Sequence, residues 1–183
     1  MRKVHGNGLP VECVNPQMNT YIVRWDIKPY YRKVGDTGEE RPIGYEYYEK
    51  WFYHIPTMSE IKSVVLSWMN ETIDQRIVSG FSWNGMSVWL SSENQFNYKA
   101  AYDLAVQTGG ANLPVVFKFG TTEEPVYYQF QSTEELMGFY IEAMKYIDTT
   151  LNEGWREKDS VDWSVYESLL PKEDEIEEDE IES

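Results

Sequence analysis

Reactive and metal-binding side chains are scarce in this chain, with one cysteine and two histidines in 183 residues. Cys13 has no partner for an internal disulfide and no neighbour with which to ligate a metal. His5 and His54 lack a second ligand at metal spacing, so no zinc site is expected. No Walker A sequence, dinucleotide fingerprint or G-x-S-x-G elbow occurs, and Gly6-Asn7-Gly8 is too isolated to cradle a phosphate. No apolar run approaches the roughly 18 residues needed to span a bilayer. The first residues also lack the apolar core of about 7–15 residues that marks a secretory signal. These absences predict a soluble chain with no membrane span, not exported by a signal peptide, with no catalytic, metal-binding or cofactor-binding residues.

Positive charge is short as well. Sixteen Lys and Arg face 31 Asp and Glu, a net charge of −15. A phosphate backbone is repelled at long range by such a chain, which argues against direct nucleic-acid binding. The deficit is uneven: residues 171–183 hold eight acids and one lysine, so they carry −7 and residues 1–170 carry −8. A run of like charge with few apolar residues buries too little surface to offset its ordering entropy, and it reads as a disordered acidic tail. Acids can also imitate phosphate spacing and occupy a DNA-binding partner. That role needs acids fixed on a surface, and fifteen Lys and Arg dilute those of residues 1–170.

Aromatic side chains are what the chain has in excess. They make up 15% of its residues, more than one core requires, so some are expected at the surface or an interface. From Asn19 onward Tyr21, Val23, Trp25 and Ile27 alternate with the mostly polar Ile22, Arg24, Asp26 and Lys28, the pattern of a half-buried strand. Gly35, Asp36, Gly38 and Pro42 punctuate a loop, and Ile43 to Ile55 returns as the second strand of a long antiparallel hairpin. Tyr45, Tyr47, Trp51 and Tyr53 are expected on one face of that strand, with Tyr48 and Phe52 on the other. Either one face packs on another chain, or both faces are covered within this one.

Capping boxes mark the helices that follow. Thr57 and Glu60 open the first, with Ile61, Val64, Val65, Trp68 and Thr72 as its inward stripe and an end near Ile77. Residues 81–90 read FSWNGMSVWL, in which Asn84 and Gly85 supply the two positive φ angles of a type I′ turn. The alternation puts Phe81, Trp83, Met86, Val88 and Leu90 on one face of this hairpin and Ser82, Ser87 and Trp89 on the other. Ser92 and Gln95 open a second helix with Phe96, Ala100 and Leu104 inward, joined by Tyr102, and Gly109 and Gly110 close it. Val115 to Phe119 and Val126 to Phe130 flank a turn at Gly120 to Pro125. Ser132 and Glu135 start a last helix with Leu136, Phe139, Tyr140, Ala143, Ile147 and Leu151 inward, which Gly154 is expected to interrupt or end.

The expected class is therefore α+β: an N-terminal antiparallel β-hairpin, a helix, a second hairpin, a helix, two short strands and a long helix. Three segments follow: a β-rich 1–56, an α+β domain at 57–170, and the acidic tail at 171–183.

Residues of about 66–163 carry an ordered series of motifs. Arg76 near a helix end runs into Gly80, Phe81, Trp83, Asn84 and Gly85, with Trp89 after them. Gln95 and Asn97 open a helix, two short strands follow, and Ser132-Thr133-Glu134-Glu135-Leu136 starts the last helix. This series resembles a domain family of unknown function found in tailed-phage and prophage proteins, often at the C-terminal end of tail-fibre or tail-associated proteins. The resemblance implies a virion or bacterial-host location and contacts with other phage structural proteins. It supplies no catalytic residue.

Carboxylate pairs can serve glycoside hydrolysis, but 31 acids single out none, and Glu123 and Glu124 sit on an expected turn where solvation is the plain reading. Flat rings stack on sugar faces as readily as on one another. Trp89, Tyr128, Tyr45, Tyr48 and Trp51 are accordingly the candidate interaction surface. The first functional expectation is a non-enzymatic, tail-associated or tail-fibre-associated protein acting through protein–protein contacts or self-association. A module that binds a host surface glycan through exposed aromatics, and an acidic inhibitor of a host DNA-binding factor, are the alternatives.

Overall fold

A computed structural model describes residues 3–34 and 39–171. The architecture is α+β, and every strand pairing is antiparallel. The chain divides into two compact units, one of Met1–Ser67 with Val161–Ser183 and one of Trp68–Ser160. That boundary falls within a helix, whereas the sequence segments were expected to meet at 56/57. The tail expected to be disordered lies outside the described residues, apart from Pro171.

In the first unit β1 (Val4–Gly6), β2 (Val11–Asn15), β3 (Thr20–Val34) and β4 (Glu39–Phe52) make one sheet in the order β1-β4-β3-β2. The expected long hairpin is β3 with β4. The two outer strands are short, three and five residues, and give alternation little room to show. The half-buried reading of β3 is corrected: Tyr21 to Trp25 are all buried, Ile22 and Arg24 included. Neighbouring strands bring the charge that makes this tolerable. Arg24 Nη2 lies 2.6 Å from Glu12 Oε2 on β2, and its Nε lies 3.6 Å from Glu49 Oε2 on β4. Its Nη1 donates to the Leu9 carbonyl at 3.1 Å, and the Tyr47 ring covers the guanidinium at 4.9 Å. A buried charge persists only when paired and hydrogen-bonded in this way. The Arg24 hydrogen bond in turn holds the Glu12 carboxyl below the usual carboxylate range.

Helix α1 (Met58–Ser79) opens with the expected reciprocal cap. The Thr57 N–H donates to Glu60 Oε2 at 2.8 Å and the Glu60 N–H to Thr57 Oγ1 at 3.3 Å. Its buried positions are Ile61, Val65, Ile73 and Ile77. Thr72, expected inward, is half-buried, and its hydroxyl returns to the Trp68 carbonyl at 2.9 Å. One short helix was not anticipated, α4 (Ser164–Glu167), which returns to the first unit. Its Tyr166 is buried and donates to the Arg24 carbonyl at 3.1 Å, and burial pushes the phenol up to about 12.

The second unit holds β5 (Phe81–Trp83), β6 (Met86–Val88), α2 (Ser92–Thr108), β7 (Val115–Gly120), β8 (Pro125–Phe130) and α3 (Thr133–Asp159). Asn84 at φ 47° and Gly85 at φ 77° form the turn between β5 and β6, with Trp83 opposite Met86 as a two-residue loop requires. Phe81, Val88 and Leu90 are buried, and Ser82, Ser87 and Trp89 are exposed, as the alternation predicts. The core centres on Phe139 of α3, which is fully buried. The rings of Tyr98, Phe130, Phe119 and Trp83 lie 5.1, 5.2, 5.4 and 5.5 Å from it. Tilted and edge-on contacts of this kind are the favourable geometries for aromatic pairs.

Three expectations for this unit need correction. The cap of α2 is Ser91, whose hydroxyl accepts from the Asn94 N–H, rather than Ser92. Two adjacent serines offer equivalent caps, and burial of Leu90 selects the first. The inward face of α2 is Tyr98 and Ala105, whereas Phe96, Ala100 and Leu104 are exposed. Apolar residues lie on most sides of this helix, so periodicity fits more than one stripe. Finally, Gly154 does not end α3, which continues to Asp159. Gly154 is buried, and a Cβ there would lie 2.7 Å from Ile73 Cγ1 and closer still to Ile73 Cδ1. The glycine serves a close helix approach, not a helix stop.

Candidate functional site

The five aromatic candidates divide between the two units, three in the first and two in the second. In the first unit Tyr45 and Trp51 are exposed, but Tyr47 between them is buried beneath Arg24. Trp51 donates its Nε1–H to Glu49 at 3.1 Å. Tyr48 is half-buried, and its ring stacks on buried Trp25 with centroids 6.4 Å apart. In the second unit Tyr128 is a supporting residue rather than a displayed ring. It stacks on Phe119 at 5.9 Å and lies edge-on to Phe130 at 4.8 Å. Its hydroxyl donates to Glu135 at 2.6 Å, accepts from the Asn84 amide at 3.2 Å, and is pushed up chiefly by the Glu135 bond. The exposed neighbour on β8 is Tyr127.

Trp89 is displayed, as its place on the polar face of the hairpin predicts, with 57% of its surface exposed. The backbone beneath it is held firmly. Val88 and Leu90 on either side are buried at 1% and 0% exposure. The Asn94 amide donates to the Trp89 carbonyl at 2.8 Å and the Tyr98 hydroxyl to the same oxygen at 3.4 Å. The Leu90 N–H donates to the Val78 carbonyl at 2.8 Å, and the Gln95 amide to the Leu90 carbonyl at 2.7 Å.

The indole borders an open cleft of about 510 Å³ together with Ser87, Asn94, Lys118, Thr121 and Glu123. A second hollow of about 550 Å³, lined by Asp74, Gln75 and Val78, shares Trp89 and Ser79 with the first. Gly120, at φ 83°, makes the tight end of β7 from which Thr121 to Glu123 reach the cleft, and a Cβ there would meet the Glu124 carbonyl. Glu123, one of the two turn acids singled out in the sequence, thus stands beside Trp89. Lys118 and Thr121 carried no sequence signal, because β6 and β7 belong to separate two-stranded sheets and only their packing brings these residues to Ser87 and Trp89.

The first unit carries a second exposed feature, on the long hairpin that the sequence predicts. β2 pairs with β3 from Thr20 to Val23, and β1 pairs with β4 from Tyr45 to Tyr47. Beyond those points, among the described residues, β3 and β4 pair only with each other, from Tyr30 opposite Gly44 to Val34 opposite Glu39. Register shifts at Trp25/Lys28 and Tyr30/Tyr31 set off this two-stranded ribbon, and such bulges bend and twist a strand. Tyr31 and Ile43 are each 52% exposed on it, and Tyr30 is exposed as well with His5 against its ring at 4.2 Å. Pro42 removes an N–H donor from the ribbon, and Pro29 another from β3 just before it.

Among the described residues no group of three or more His, Cys, Asp or Glu could hold a metal ion, and no helix is long and apolar enough to cross a membrane. The chain matches no family model, no curated protein and no solved structure.

Proposed function

We propose that this chain is a non-enzymatic component of a tailed-phage or prophage particle, associated with the tail or tail fibre, that works through protein–protein contacts. The observation that carries the contact role is the ribbon of β3 and β4, which exposes Tyr30, Tyr31 and Ile43. An isolated two-stranded ribbon is marginally stable in water, so covering these side chains with a partner stabilises both. The prolines disfavour strand addition along its edges, and the faces of the ribbon are the contact surface. Its partners are other structural proteins of the particle. The particle context rests on the motif series from Arg76 to Leu136.

Mass spectrometry of gradient-purified particles tests this reading. Peptides of this chain are expected at a fixed ratio to the tail proteins. Full recovery of the tail proteins without this chain would remove the proposal.

A further inference from the structure

The geometry points to a second site on this chain, a binding site for a neutral oligosaccharide at Trp89. The inference does not rest on the ribbon or on the particle context. A tryptophan left 57% exposed gains little from burial, yet three side chains, Asn94, Gln95 and Tyr98, are committed to fixing the backbone that carries it. A flat ring carried on a fixed backbone is an element that stacks on the C–H face of a pyranose, and a backbone already ordered lowers the ordering cost of binding.

The surroundings select the ligand class. Ser87 and Thr121 offer hydroxyls, Lys118 a donor and Glu123 an acceptor around the cleft of about 510 Å³. Neither Lys118 nor Glu123 has an ion-pair or side-chain hydrogen-bond partner among the described residues. Donors and acceptors at the rim of an aromatic platform match the hydroxyls of a sugar. The second hollow adds Asp74 and Gln75 beyond the indole, so the ligand is longer than one ring. At Trp89 and Leu90 a peptide adding as a strand finds both carbonyls and the Leu90 N–H already bonded. The net charge of −15 repels sulfated, phosphorylated or other acidic sugars at long range, and Lys118 and Glu123 balance within the cleft, which favours neutral ones.

The test uses the full chain, labelled and applied to an array of immobilised neutral and acidic oligosaccharides, with calorimetric titration of any neutral sugar that binds. Binding to at least one neutral oligosaccharide is expected, with Trp89→Ala weakening it about tenfold or more and Trp89→Phe weakening it less. Trp155→Ala, at a tryptophan 55% exposed and outside the cleft lining, should leave affinity unchanged. Retained thermal unfolding of Trp89→Ala shows that the loss is local. A silent array, binding to acidic sugars alone, equal loss in Trp155→Ala, or full affinity in Trp89→Ala overturns the inference. So does a peptide library that yields a Trp89-dependent peptide while the array stays silent.

Discussion

Replacing Gly154 by alanine places two opposed effects on one atom. In an open helix the change stabilises by about 1 kcal/mol, because glycine carries the larger backbone entropy cost. Here the new methyl would lie 2.7 Å from Ile73 Cγ1 and 3.2 Å from Cγ2, both near the stiff branch point of a side chain that is only 3% exposed. Overpacking of this kind costs about 1–3 kcal/mol. The net expectation for Gly154→Ala is a loss of about 1 kcal/mol. In an Ile73→Ala background all three clashing atoms are gone, and the same substitution becomes stabilising by about 0.5–1 kcal/mol. Ile73→Ala alone costs about 2–5 kcal/mol. Urea unfolding of the four proteins measures the cycle. A sign reversal between the two backgrounds supports the close approach of α1 and α3 at this point. If Gly154→Ala stabilises the wild-type background, the two helices do not meet at this glycine and the reasoning fails.

Other consequences follow from the same structure. Phe139→Ala removes the ring on which the second unit is centred and should lower stability by about 3–5 kcal/mol in the same denaturant assay. Gly85→Val forces a branched residue into the φ 77° position of the hairpin turn and should cost about 1–2 kcal/mol, without weakening sugar binding by the folded fraction. Arg76 grips Glu157 with two hydrogen bonds of 2.8 and 2.5 Å, the first cause of a Glu157 carboxyl held below its usual range. A carboxylate with a depressed native-state value contributes stability above its unfolded value of about 4.3, and that contribution is lost as pH falls through the native value. The stability gap between wild type and Glu157→Gln, at most about 1 kcal/mol for so exposed a pair, should therefore close as pH falls below about 4.3. A gap that widens toward acid would contradict the assignment.

The legible parts of the fold were those specified by a few adjacent residues. Asn84-Gly85 dictates the turn of the second hairpin, Thr57 with Glu60 dictates the start of α1, and Gly109 closes α2 at φ 60°. What stayed hidden depends on partners distant in sequence. Arg24 looked solvated because its carboxylates come from Glu12 and Glu49 on other strands. Gly154 looked like a helix stop because Ile73, which requires it, lies 81 residues earlier. Of the candidate site, Trp89 was visible as the large residue on the polar face of a hairpin. The cleft beside it was not, since Lys118 and Glu123 reach it only through the packing of β7 against β6, strands of two separate sheets. Of the long hairpin, the sequence showed the strands and an aromatic face for another chain, but not that Tyr31 and Ile43 stand exposed on a ribbon beyond the outer strands.

The most direct test of the functional account is the fate of the ribbon in assembled particles. Hosts carrying the wild-type chain or the double variant Tyr31→Ser, Ile43→Ser would yield particles for quantitative mass spectrometry, with circular dichroism confirming that the purified variant folds. The account predicts the wild-type chain at constant stoichiometry and the variant depleted about tenfold or more. Incorporation of the folded variant at the wild-type level would contradict it.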